Sequence, residues 1–234
     1  MSQQPSTNNY QLKVCGLTKM DQIQELISLN TDFLGFIFYE KSPRFVLNHL
    51  SLEEISEINH QGKVGVFVNE TIERIAEISE KAKLNFIQLH GDEDEEFVKK
   101  LRLSLSKNIK IIKVIRIGND FEKFKNEISK ISNLTRGEAE LSEAKSQISN
   151  LLFDTDSKAF GGTGKTFDWQ ILNEIEIPIP YFLSGGISLE NIHQLSTINQ
   201  QPLALDINSK FETEPGIKNL EKIKNFTQIV KKIY

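Results

Sequence analysis

Eight short runs rich in β-branched and aromatic residues recur along the chain and bound what it can fold into. They are "QLKVCGL" from residue 11, "FLGFIFY" from 33, "KVGVFVN" from 63, "FIQLH" from 86, "IIKVIRI" from 111, "LLFD" from 151, "YFLSGG" from 181 and "LALDIN" from 203. Most are apolar nearly throughout, as strands of a parallel sheet buried on both faces must be. Helix-length amphipathic segments lie between them, such as "MDQIQELISLN", "TIERIAEISEKAK" and "EEFVKKLRLSLS". A strand–helix unit of roughly 20 to 40 residues, repeated eight times, predicts an α/β fold of the TIM (β/α)8 barrel type. The chain's 234 residues suit one such barrel. A doubly wound sheet needs fewer strands and usually a glycine fingerprint after the first, where this chain has "CGLTKMD". Residues 11–234 therefore read as one barrel domain behind a polar tail at 1–10, expected to be disordered. The polar stretch "KISNLTRGEAELSEAKSQISN" from 130 reads as an extended helix or a surface insertion with a solvated face.

Composition narrows the partners. Net charge is −4 and the sequence pI about 5.7, with basic residues spread along the chain, so no general affinity for nucleic acid or an anionic membrane is expected. There is no apolar run of membrane-spanning length, and "MSQQPSTNNY" lacks the basic and apolar regions of a signal peptide. A soluble cytoplasmic protein is the expectation. The single cysteine, Cys15, excludes an internal disulfide, and no Cys/His cluster has zinc-site spacing, so no metal is expected.

In such a barrel the site is built from the C-terminal ends of the strands and the loops after them. The polar residues there are Cys15 with Gly16, "EKSPR" at 40–44, Asn69, His90 with "GDE", Arg116, Asp154, "SGG" at 184–186 and Asp206 with "INSK". The segment "GGTGKTFDW" at 161–169 resembles a nucleotide phosphate loop, yet five residues before Gly164 stands Ala159 instead of the required glycine. A glycine-rich cover over the site, carrying Gly162, is the better physical account, with Asp168 at the N-cap of the next helix and Trp169 packed on the barrel. Phosphate fits better at the loops after strands seven and eight. There Gly185 and Gly186 leave their amides uncovered, and Ser184, Ser209 and Lys210 add donors.

Cys15 and Asp154 end well-separated strands. A lone cysteine in a barrel serves as well as a small buried hydrophobe. A carboxylate after "LLF" needs partners or a role, since desolvation raises its pKa, and acid and thiolate together make a plausible proton-transfer pair. Asp206 is a third group at the mouth, and Arg44 can hold a carboxylate bidentately. Together they suggest a substrate with a phosphate at one end and a carboxylate at the other.

In order, "KVCGLT", "GFIFYEKSPRFV", "VGVFVN", "IQLHGDE", "LLFDT", "FGGTGKTFDW", "FLSGGIS" and "LDINSKFE" closely resemble the motifs of the phosphoribosylanthranilate isomerase family of tryptophan biosynthesis. The resemblance spans nearly all of residues 11–230. It implies a cofactor-free Amadori rearrangement of N-(5-phosphoribosyl)anthranilate to 1-(2-carboxyphenylamino)-1-deoxyribulose 5-phosphate. It also implies Cys15 as general base and Asp154 as general acid, with both pKa values brought toward neutrality, the thiol's by nearby helix N-termini. Arg44 would anchor the anthranilate carboxylate, Asp206 would contact the bridging amine, Gly162 would line the substrate, and His90 would either touch it or support the residues that do. Gly185, Gly186, Asn208 and Ser209 would hold the phosphate. The partner implied is a small phosphorylated molecule, and the assembly a monomer or homodimer. Lys210 stands where the family often has Arg, which replaces a fork with a point charge. The rival enzyme is the related histidine-pathway isomerase, which uses two aspartates and a half-barrel repeat not evident here. A catalytically inactive barrel that binds a phosphorylated metabolite is the rival from another class, and it has no need of a separated acid and base.

Overall fold

The structure, a computed structural model, describes residues 10–118, 120–136, 147–156 and 166–233. Gly162 and the centre of the polar connection around 137–146 lie outside those residues, as does the tail apart from Tyr10. Tyr10 is half-buried against the core, and its hydroxyl bonds Gln201.

The eight runs become β1 (Gln11–Val14), β2 (Phe33–Ile37), β3 (Lys63–Phe67), β4 (Phe86–Leu89), β5 (Lys110–Ile117), β6 (Asn150–Thr155), β7 (Tyr181–Leu183) and β8 (Ala204–Ile207). All pair in parallel, in chain order, and β8 returns to β1 to close the barrel. Lys13 is opposite Asp206 across that seam. Side chains alternate between the lumen and the helix layer. The lumen is filled by Phe33, Val64, Val66, Phe86, Ile112, Val114, Leu152 and Phe182, with Cys15 among them. Phe33 packs edge-on to Phe86, with centroids 5.2 Å apart, and tilted against Phe182 at 4.9 Å. This aromatic plug makes the barrel a packed core and not a pore.

The helices α1 (Met20–Ser28), α2 (Leu52–Glu57), α3 (Ile72–Lys81), α4 (Glu95–Ser104), α5 (Phe121–Arg136) and α6 (Leu220–Ile233) surround it. Each turns an apolar stripe inward at three- and four-residue spacing, for example Ile75 and Ile78 of α3, Val98 and Leu101 of α4, and Ile223 and Phe226 of α6. Burying each such side chain stabilises the fold by about 1.5–3 kcal/mol. Starts are set by caps. Ser51 and Glu54 form a capping box on α2, while Thr71 and Asp94 accept the Arg74 and Phe97 amides at α3 and α4.

The strand–helix repeat departs from expectation twice. After β6 and β7 stand 3-10 helices, Trp169–Glu174 and Ile192–Thr197, in place of α-helices. Their buried residues, Trp169 with Leu172 and Ile192 with Leu195, fall three apart, the spacing that three residues per turn brings onto one line. Asp168 caps the first of them through the Gln170 amide, as expected, and Trp169 is fully buried. Beyond β8 a hairpin, β9 (Glu212–Glu214) with β10 (Ile217–Lys218), precedes α6. Among the described residues no helix is long and apolar enough to cross a membrane.

Candidate active site

Cys15 follows the last residue of β1, its amide donating to the Ile207 carbonyl on β8 at 2.9 Å. The chain turns at once through Gly16, at φ +74°, where a side chain would lie 2.7 Å from Arg44 Cδ and 2.9 Å from Asn208 Oδ1. Only glycine supplies both the left-handed backbone and the room. From β2, Gly35 lets the neighbouring backbone come against Cys15; a Cβ there would sit 3.0 Å from Sγ.

Two residues earlier on the same strand face is Lys13, with no solvent exposure. Its Nζ donates to Asp206 Oδ1 at 2.9 Å, and its charge favours the Cys15 thiolate. Burial would strip the lysine of its proton, but Asp206 and Cys15 more than offset this, and its pKa is raised. Burial pushes the Cys15 thiol up. Lys13 and Lys218 oppose that rise, and the Asp206 charge adds to it. A thiol lowered by helix N-termini is therefore not what the fold builds: α1 begins only at Met20, and the countering charges are lysines. Asp206 is likewise pushed up by burial, against Lys13, with a further push from Asp154 and an opposing one from His90.

Asp154 occupies the C-terminal end of β6, in register with Arg116 of β5. One oxygen accepts the Thr155 amide at 2.8 Å, and the other lies 3.3 Å from His90 Nε2. At that separation the two groups face each other but make no hydrogen bond. His90 Nδ1 is 3.0 Å from Gln88 Nε2 and accepts from it, which leaves the imidazole proton on Nε2, facing Asp154. The loop that carries His90 is clasped by its neighbours. Glu93 accepts from the Asn69 and Gly91 amides and from Lys113 Nζ, Asn69 accepts the Asp92 amide, and Arg116 pairs with Asp92. Asn69 and Arg116 thus tie one loop to the next.

Arg44 is not an open fork. Its Nε and Nη2 grip both oxygens of Glu212 on β9 at 2.6–3.0 Å, while Nη1 makes no hydrogen bond among the described residues. Lys218 of β10 adds bonds to Glu212 at 2.6 Å and to Asn208 Oδ1 at 2.8 Å. Burial acts to raise the Glu212 carboxyl, but Arg44 and Lys218 outweigh it and hold it below the usual range. The chain after β8 so folds back on the loop after β2, and Asn208 joins that cluster.

Gly185 and Gly186 follow β7 with φ of +84° and +71°. A side chain on Gly185 would stand 2.5 Å from Thr155 Oγ1 and 3.3 Å from Asp154 Oδ1. Asn191 staples this turn, accepting from the Ser188 amide and donating to the Gly186 carbonyl. The Gly185, Gly186 and Ser209 amides have no acceptor among the described residues. Lys210 is exposed, with its carbonyl taken by Lys222.

The structure brings Cys15, Asp154, Asp206, Arg44 and His90 to one end of the barrel, all nearly buried. Reading the sequence for strand ends misses Lys13, Gln88, Glu212 and Lys218. A signal existed for the first two, which share strand parity with Cys15 and His90.

The family model described as N-(5'phosphoribosyl)anthranilate (PRA) isomerase matches residues 12–229. A relative from Parabacteroides distasonis named N-(5'-phosphoribosyl)anthranilate isomerase is 37% identical over 93% of this chain and 91% of its own length. The crystal structure of phosphoribosyl anthranilate isomerase from Thermotoga maritima is similar at TM-score 0.76 and 29% identity, covering 95% of this chain and 99% of that one. A phosphoribosyl anthranilate isomerase in complex with reduced 1-(o-carboxyphenylamino)-1-deoxyribulose 5-phosphate is similar at TM-score 0.73 and 26% identity, covering 95% and 99%. Sequence, closed barrel and clustered acid, thiol and cation agree, and the chain belongs to the phosphoribosylanthranilate isomerase family.

Proposed function

We propose that Cys15 is the general base and Asp154 the general acid of the rearrangement this enzyme catalyses. The overall reaction converts N-(5-phosphoribosyl)anthranilate to 1-(2-carboxyphenylamino)-1-deoxyribulose 5-phosphate in tryptophan biosynthesis. Asp154 gives its proton to the furanose ring oxygen as the C1–O bond breaks, and the amine lone pair forms the iminium. The Cys15 thiolate then takes the proton from C2, the C–H electrons pass to C1, and the iminium becomes an enolamine that tautomerises to the ketone. A proton enters at oxygen and one leaves from carbon, so the steps balance with no external redox partner.

The observation that carries this reading is that thiol and carboxyl end β1 and β6 of one closed barrel, both buried at its C-terminal mouth. Asp206, beside Cys15 through Lys13, suits the bridging amine, and His90 suits the acid end of the substrate. Glu212 fixes the plane of Arg44, which meets the substrate carboxylate through Nη1. The left-handed Gly185 and Gly186, with Asn208 and Ser209, take the phosphate on backbone amides. Gly162, outside the described residues, is assigned to substrate binding on its motif alone. Residues 11–234 act as one domain, behind the tail at 1–10, and every residue invoked comes from one chain.

The test is a fluorescence assay following loss of phosphoribosylanthranilate generated in situ, with wild type, Cys15→Ser and Asp154→Asn. Loss of turnover in both variants, with the fold retained by circular dichroism, supports the roles. Near-normal turnover in either folded variant removes that residue from the mechanism.

A further inference from the structure

Lys13 is fully buried, and the reading above gives it no part in the chemistry. Placing an ammonium inside a barrel costs several kcal/mol unless well-placed partners offset it. Its bonded partner here is Asp206 Oδ1 at 2.9 Å, and Cys15 follows two residues on along the same lumen-facing side of the strand. Lys13 precedes Cys15 by two residues on β1, directly opposite Asp206 on β8, and has no solvent exposure. An interior that needed only packing would be served by leucine or methionine at this position. A thiol that must become an anion in an apolar lumen needs a cation beside it.

We propose that Lys13 is a positioning residue of the isomerase, its ammonium held between Asp206 and Cys15 so that one cation both aims the carboxylate and stabilises the thiolate. The inference rests on Cys15 being the base. The other charged groups facing this pair are Lys218 from β10, which also favours the thiolate, and Asp206, which opposes it. Beyond Asp206 lie Asp154 on β6 and His90 after β4. Lys218 is already engaged by Glu212 and Asn208, whereas among the described residues Lys13 bonds Asp206 alone. When Cys15 loses its proton, the Lys13 ammonium is the donor in place to receive the charge.

Cys15 is the only cysteine in the chain, so the pH dependence of iodoacetamide alkylation reads this one thiol without catalysis. In Lys13→Met the alkylation midpoint should move to higher pH by about one unit or more, and kcat/KM at neutral pH should fall on the order of tenfold to a hundredfold. The rising limb of the pH–rate profile should shift the same way, and Lys13→Arg should recover part of each change. If Lys13→Met does not fold, Lys13→Met/Asp206→Asn is compared with Asp206→Asn alone, since both lack the buried carboxylate charge. A higher alkylation midpoint in the double variant supports the inference. An unchanged midpoint in Lys13→Met, or in the double variant against Asp206→Asn, overturns it even if Cys15→Ser is inactive. An active Cys15→Ser instead removes the base assignment beneath it, which separates the two failures.

Discussion

The two sides of the barrel mouth are built by different physics. On the base side, Cys15 lies over a buried ion pair, Lys13 with Asp206, flanked by a second cluster of Arg44, Glu212, Lys218 and Asn208. On the acid side, Asp154 has one backbone amide, an imidazole 3.3 Å away, and the bare backbone of Gly185. Around the thiol proposed as base, Lys13 and Lys218 favour the anion, while burial and the Asp206 charge act against it. The carboxyl proposed as acid has no cation hydrogen-bonded to it among the described residues. The two groups proposed to transfer protons thus share one barrel without sharing an environment.

The strongest attempt to break this contrast is to remove each proton carrier. Asp154→Asn and Cys15→Ser should each lower kcat on the order of a thousandfold with KM changed far less. Equal tolerance of both substitutions in the assay would erase the division of roles. Next in size, Arg44→Ala should raise KM by roughly ten- to a hundredfold with a smaller effect on kcat, as steady-state kinetics would show. His90→Asn should lower kcat by roughly tenfold, and an unchanged pH–rate profile in that variant would mean that His90 does not act on Asp154.

A stability measurement sharpens the base side further. The folded chain holds the Cys15 proton more tightly than the unfolded chain does, chiefly through burial. Above the ordinary value of 9.0 the unfolded thiol ionises while the folded one does not, so this contribution to stability is lost as pH rises. The urea midpoint of wild type should therefore fall more steeply than that of Cys15→Ser between about pH 8 and about pH 10. The smallest effect lies away from both sides. Thr71→Ala, which removes the α3 cap, should cost about 1 kcal/mol of stability in urea and leave kcat and KM unchanged.

The strands were legible because a double-buried strand leaves an apolar run that little else imitates, and all eight runs formed barrel strands. The strand ends then located Cys15, Asp154 and Asp206, since topology fixes which end of a barrel strand meets the loops. The 3-10 helices after β6 and β7 were not legible, because apolar residues three apart fit either helix type. Lys13 was hidden for a different reason. A charged residue inside an apolar run looks like a solvent-facing side chain until the partner strand brings Asp206 opposite, and that partner lies 193 positions away. Glu212 and Lys218 come after the last strand, where the repeat had nothing left to predict.

On the roles proposed, the pairing of Lys13 with Asp206 also ties catalysis to the order in which the chain is made. It joins the first strand synthesised to the last, so the base side exists only after β8 has docked against β1. A nascent chain that stops short of residue 204 has its thiol but neither the aspartate that anchors the lysine nor the hairpin that steadies Arg44. The proposed site is therefore complete only once the ring is closed.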